Sequence, residues 1–141
     1  MSPSGLLLDT CAVVWLVTGA PMARGAEARI VEAGRRNAIH VSPISAWEIG
    51  LLSRAKAGRG LAFLPDPATW FARLMARSGI VPAIFNAEIA IAASHLPEPL
   101  HGDLADRLLI ATARHAGLPI MTRDSKIIAY ADAGHVSVVA C

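Results

Sequence analysis

Four acidic side chains occupy positions that ordinary surface acids do not share. Asp9 stands directly behind the apolar run Leu6-Leu7-Leu8, and Asp124 follows Ile120-Met121-Thr122 after one arginine. Glu48 lies between Trp47 and Ile49, with no cation three or four residues further on, and Asp106 sits in Asp103-Leu104-Ala105-Asp106-Arg107. Two unpaired carboxylates about 4 Å apart repel by roughly 4 kcal/mol at an effective dielectric of ~20. A marginally stable chain gathers four of them only with compensation, and a divalent cation is the simplest form. Oxygen ligands without Cys or His suit Mg²⁺ or Mn²⁺, so the chemistry they point to is that of a hard Lewis acid.

Taken singly, most of these acids also have a structural reading. Asp9 can cap a helix after the first apolar run, Asp106 can be a first-turn acid, and Asp124 can cap a short helix over Ser125–Tyr130. Glu48 has no such role. Asp103 with Asp106 three residues on resembles a capping box, and Asp103 and Arg107 are spaced as an i,i+4 ion pair. We assign Asp103 to capping and pairing, and Asp106 to the metal. Glu27 and Glu32 share a polar helix face with arginines, and Asp66 and Glu98 fall in loops, so these are read as solvated surface.

The elements that must position the four acids alternate along the chain. Strands are expected at Gly5–Leu8, Ala38–Val41, Ile80–Ile84, Leu118–Thr122 and Val136–Ala140. Pro82 demotes the third toward a sheet edge. Helices are expected around Arg24–Arg35, from Ile44 to Ala57 closing at Gly58, over Ala68–Arg77, from Asn86 to His95, over Asp103–Ala116 and over Asp124–Tyr130. Strands alternating with helices, without hairpin turns, argue for βαβ units and an α/β fold with a parallel sheet. In such a sheet ligands bind at the carboxyl ends of the strands, and the four acids project toward that rim from four different elements.

The chain has 141 residues, 54% of them hydrophobic and 17% charged, which excludes disorder and fits one domain spanning residues 1–141. Its longest apolar run, Cys11–Val17, is too short to cross a bilayer, and Asp9 interrupts the early apolar stretch, so a cytoplasmic protein without a secretory signal is expected. Thirteen basic and eleven acidic residues give a formal charge of +2, too small to announce a nucleic-acid binder by itself. Cys11 and Cys141 form no ligand cluster, and Cys11 reads as a small buried hydrophobe. A mean hydropathy of +0.47 suggests apolar surface that meets a partner chain.

Four stretches, in order, carry a resemblance: Leu7-Leu8-Asp9-Thr10 with Trp15-Leu16, Ser42–Ile49, His101–Ala111 and Gly117–Asp124. In them the chain resembles PIN-domain ribonucleases, specifically the VapC toxin type of bacterial toxin–antitoxin pairs. Cys11 stands where relatives commonly have His, and Leu104 where they have Pro. The resemblance implies a five-stranded parallel sheet between helices, with Asp9, Glu48, Asp106 and Asp124 as metal ligands. It also implies supporting hydroxyls at Thr10, Ser45 and Thr122, metal-dependent endoribonuclease activity, neutralisation by a VapB-type antitoxin, and a homodimer. On this reading Glu48 either binds a second ion or serves as base toward the attacking water.

RNA approaching four negative charges requires flanking cations, for which Arg24, Arg29, Arg35, Arg36, Arg54, Arg59 and Arg123 are candidates. The five histidines lack metal spacing and are treated as structural or surface, and Trp15, Trp47, Trp70, Phe63 and Phe71 as core. Two other readings compete: a catalytically silent RNA- or protein-binding domain of the same fold, and a phosphoacceptor domain using Asp9. The second is disfavoured because Cys11 stands where such phosphatases place another acid.

Overall fold

The chain folds around short strands whose central members are buried on both faces. The computed structural model describes residues 5–54 and 62–141. β1 (Leu6–Leu8) leads into α1 (Thr10–Thr18) and α2 (Arg24–Arg35), then β2 (Ile39–Val41) and α3 (Pro43–Ser53). After the undescribed segment come α4 (Pro67–Met75), β3 (Ile80–Pro82) and α5 (Ala87–Ser94), then α6 (Leu104–Ala116), β4 (Ile120–Thr122), α7 (Ser125–Asp132) and β5 (Val138–Ala140). The expected end of the third helix at Ala57 and Gly58 lies outside the described residues, as does Arg59.

The strands form one parallel sheet in the order β3-β2-β1-β4-β5, as the α/β reading expected. β3, which carries Pro82, is an edge strand, where a missing N–H breaks no ladder. Each strand is three residues long, shorter than the apolar runs suggested. Pro119, Ala83 and Ser137 each add one backbone hydrogen bond to a neighbouring strand at the ends of the ladder but lie outside the strands themselves.

Leu6, Leu7 and Leu8 are fully buried, and their alternation divides the core. Leu6 and Leu8 join Ala12, Val13, Ala26, Ala33 and Leu74 on the face covered by α1, α2 and α4. Leu7 joins Ile89, Leu109, Ile110 and Ile127 on the face covered by α5, α6 and α7. Side chains on a strand alternate between faces, so three leucines serve two cores. Each contributes about 1.5–3 kcal/mol by burial. Phe63 and Trp70 meet edge to face with centroids 4.9 Å apart. Gly79, at φ +90°, lies so close to Gly34 that an added Cβ would stand 2.9 Å from its backbone, so no other residue fits there.

Trp47 departs from the core assignment and is 52% exposed. On α3 the buried positions are Ser45 and Ile49, four residues apart, so the intervening Trp47 points the other way. Among the described residues no helix is long and apolar enough to cross a membrane.

Candidate functional site

The strand order reverses direction at β1: β2 and β3 are laid down on one side of it, β4 and β5 on the other. The crevice beyond the carboxyl ends of β1 and β4 is therefore the switch point where an open parallel sheet accepts ligands. Asp9 follows β1 and Asp124 follows β4 after Arg123. Both are helix N-caps: Asp9 Oδ1 accepts from the Ala12 N–H at 2.8 Å, and Asp124 Oδ1 accepts from the Lys126 N–H at 2.8 Å. Asp103 caps α6 by accepting from the Asp106 N–H at 2.9 Å. Three helix N-termini thus bring positive dipole ends and orphan N–H groups to the same acids. The capping readings and the site reading describe the same residues.

All four sequence-predicted acids line one cavity of about 360 Å³, with Asp103 alongside them. Glu48 reaches it from inside α3, held by the Thr10 hydroxyl, which donates to Glu48 Oε1. Thr10 and Ser45 hydroxyl oxygens are 3.1 Å apart, so a Ser45–Thr10–Glu48 chain crosses from α3 to α1 and back. Thr122 donates to Asp9 Oδ2 at 2.5 Å and accepts the Asp124 N–H at 2.9 Å. The three hydroxyl residues therefore fix Glu48, Asp9 and the Asp124 backbone.

Burial raises the Asp9 carboxyl above the usual aspartate range, opposed by the Thr122 and Ala12 hydrogen bonds and reinforced by the charges of Asp106 and Asp124. Glu48 is raised by burial, against the Thr10 bond, with Asp106, Asp103 and Asp9 adding to the rise. Asp106 is raised by burial and by Asp103 and Asp124, against the His101 bond. The cavity is thus short of positive charge.

The donor set is all hard oxygen, which fits a Mg²⁺ or Mn²⁺ ion rather than a thiophilic one. Among the described residues no three His, Cys, Asp or Glu side chains cluster tightly enough to cage an ion by themselves.

Two assignments change, and His101 gains a partner at the site. Its Nε2 lies 2.7 Å from Asp106 Oδ2, with both side chains largely buried. Its spacing five residues before Asp106, across Gly102 and the Asp103 cap, lets the loop fold back over the first turn of α6. Arg107 does not pair with Asp103. It donates to the Ala93 carbonyl at 3.1 Å and meets Glu98 at 3.5 Å, because the Asp103 carboxylate is committed to its cap. Cys11 is exposed and lines the cavity, since α1 turns its neighbours Thr10, Ala12 and Val13 inward. Partial burial and the charges of Asp9, Glu48, Asp124 and Asp106 push its thiol up, which keeps it protonated. Of the candidate cations, only Arg123 lines the cavity among the described residues.

The fold is similar to a chain of VapBC2 from Rickettsia felis bound to a DNA fragment from its promoter, at 16% identity and a TM-score of 0.66 over 96% of this chain and 97% of that one. FitAcB from Neisseria gonorrhoeae matches at 21% identity and a TM-score of 0.56, over 94% and 95% of the two chains. DNA-bound VapBC from Salmonella typhimurium matches at 13% identity and a TM-score of 0.56, over 96% and 97%. No curated protein matches by sequence. The PIN domain family model matches residues 6–133, nearly the whole described chain, and on that match the chain belongs to the PIN domain family.

Proposed function

We propose that the chain is a metal-dependent endoribonuclease of the VapC type, acting as one PIN domain in the cytoplasm. The observation that carries this reading is the meeting of Asp9, Glu48, Asp106 and Asp124 in one cavity at the switch point of the sheet. Asp9, Asp106 and Asp124 would hold the cation together with water and a substrate phosphate, and Thr122 and His101 fix two of those carboxylates by hydrogen bonds. Bound there, Mg²⁺ or Mn²⁺ would supply Lewis-acid polarisation of a phosphate and of an attacking water. Glu48, oriented by Thr10 and made more basic by its surroundings, takes the proton from that water. Water adds to phosphorus, the bond to O3′ breaks, O3′ takes a proton from solvent, and the products are a 5′-phosphate and a 3′-hydroxyl.

The similarity to chains of VapBC and FitAcB complexes supports a VapB-type antitoxin as partner. Exposed Trp47, Leu51 and Leu52 on α3 offer apolar surface for an antitoxin or for a second copy in a homodimer. The test is incubation of purified protein with single-stranded RNA in Mn²⁺, with and without EDTA, and mapping of the cut ends. Metal-dependent cleavage leaving 5′-phosphates, suppressed by a cognate antitoxin, is the expected result. Intact RNA under all conditions would leave the silent binding domain as the better reading.

A further inference from the structure

Among the described residues Arg123 is the only cation lining a cavity that also holds Asp9, Glu48, Asp103, Asp106 and Asp124. Even so, among the described residues it forms no salt bridge with any of them. Its guanidinium carbon stands 3.8 Å from the centroid of the Trp15 ring, and Nη2 donates to the Pro21 carbonyl at 2.6 Å. Trp15 itself lines the cavity and packs against the core of the α1 face. The guanidinium is thus held by an aromatic face, the Pro21 carbonyl and the Cys141 side chain rather than neutralised by a cavity acid, and N–H donors remain for a ligand.

We propose that Arg123, seated on Trp15, is the substrate-phosphate anchor of this site. It takes the non-bridging oxygens of an RNA phosphodiester in a forked contact and draws that phosphate against the carboxylate rim. Trp15 is the positioning residue that keeps the fork in place before RNA arrives. This assignment rests on the nuclease reading and adds the group that admits a polyanion to an acidic cavity. A fixed guanidinium suits this role better than a lysine because its planar fork matches two phosphate oxygens at once. The ordering of a long side chain is already met in the free protein.

The test uses a labelled single-stranded RNA of mixed sequence, with binding measured in EDTA and in Ca²⁺ and cleavage in Mn²⁺. Arg123→Ala is expected to raise KM about tenfold with kcat nearly unchanged, and to lower the slope of log affinity against log salt by about 0.7, one phosphate contact on a single strand. Arg123→Lys should recover the salt slope more than the affinity. Trp15→Ala should weaken binding in the wild-type background and add nothing to Arg123→Ala. If Trp15→Ala fails to fold, Trp15→Phe, which retains a ring face, should bind nearly as the wild type does. A wild type that cleaves, with KM and salt slope unchanged in Arg123→Ala, overturns the anchor and leaves the nuclease standing. RNA binding that depends on Arg123 without any cleavage overturns the nuclease and leaves the anchor, and a wild type that neither binds nor cleaves RNA overturns both.

Discussion

Thr122 donates its hydroxyl proton to Asp9 at 2.5 Å across a separation of 113 residues. Because Thr122 is fully buried and also accepts the Asp124 N–H, one side chain joins the acids that follow β1 and β4. Thr122→Val keeps the shape and removes both bonds. A hydrogen bond to a charged group contributes about 1.5–3 kcal/mol, so the variant should lose stability of that order in urea unfolding. Without its donor, Asp9 should titrate higher still by NMR, whereas Thr122→Ser should restore both properties.

Asp9→Asn should abolish cleavage while leaving the fold intact. Asn caps a helix about as well as Asp does, so the bond from the Ala12 N–H survives the loss of charge. RNA cleavage in Mn²⁺ should fall by more than ~100-fold, beyond the loss typical of residues that only support a metal ligand. Circular dichroism should show an unchanged helical signal. Normal cleavage by this variant would remove Asp9 from the metal site.

Asp106→Asn should stabilise the metal-free protein. Asp106 is raised by burial and by the charges of Asp103 and Asp124 despite its bond to His101, so its ionised form costs stability. In EDTA the melting temperature should rise by a few degrees, corresponding to about 1 kcal/mol in a chain of this length. Added Mg²⁺ should then stabilise the wild type more than the variant, by mass action on an intact site. A lower melting temperature in EDTA would show that the cavity is not crowded with negative charge.

The same shifts set the pH dependence. Asp9, Glu48 and Asp106 all have folded values raised above their ordinary ones. Their contribution to stability is fully present below the unfolded carboxyl pKa, near ~4, and is lost as pH rises through the raised folded values. In EDTA, urea midpoints should therefore show these groups destabilising the wild type as pH climbs toward neutrality. Asp106→Asn should show a shallower decline, and saturating Mn²⁺ should flatten both. A wild-type midpoint that rises with pH relative to the variant would contradict the raised values.

His101→Ala should cut cleavage by about 10–100-fold, the usual cost of losing a partner that orients a metal-binding carboxylate. His101→Gln, which can still donate to Asp106, should recover part of that loss. Recovery of stability without recovery of cleavage would limit His101 to packing.

Much of the fold is legible locally. Leu6-Leu7-Leu8 reads as a strand covered on both faces because no polar residue interrupts it, and that is how it lies. Asn86 and Asp103 announce helix starts through their caps, and Gly117 announces a stop through its left-handed backbone at φ +69°. Trp47 was less legible, because hydrophobicity alone does not say which side of α3 faces the core. Cys11 was misread for the same reason, one position along α1 from a buried neighbour.

By itself the amino-acid sequence determined the order of strands and helices, the identity of the acids at their ends, and the hard-oxygen character of the candidate centre. Those properties depend on short-range effects: burial of apolar runs, side-chain caps and the chemistry of carboxylates. Only the tertiary structure decided that β4 lies beside β1, that Thr122 therefore reaches Asp9, that His101 folds back onto Asp106, and that Arg123, alone of the candidate cations among the described residues, lines the cavity. These contacts join residues distant in the chain, and their partners are set by sheet order and helix packing, which no local pattern encodes.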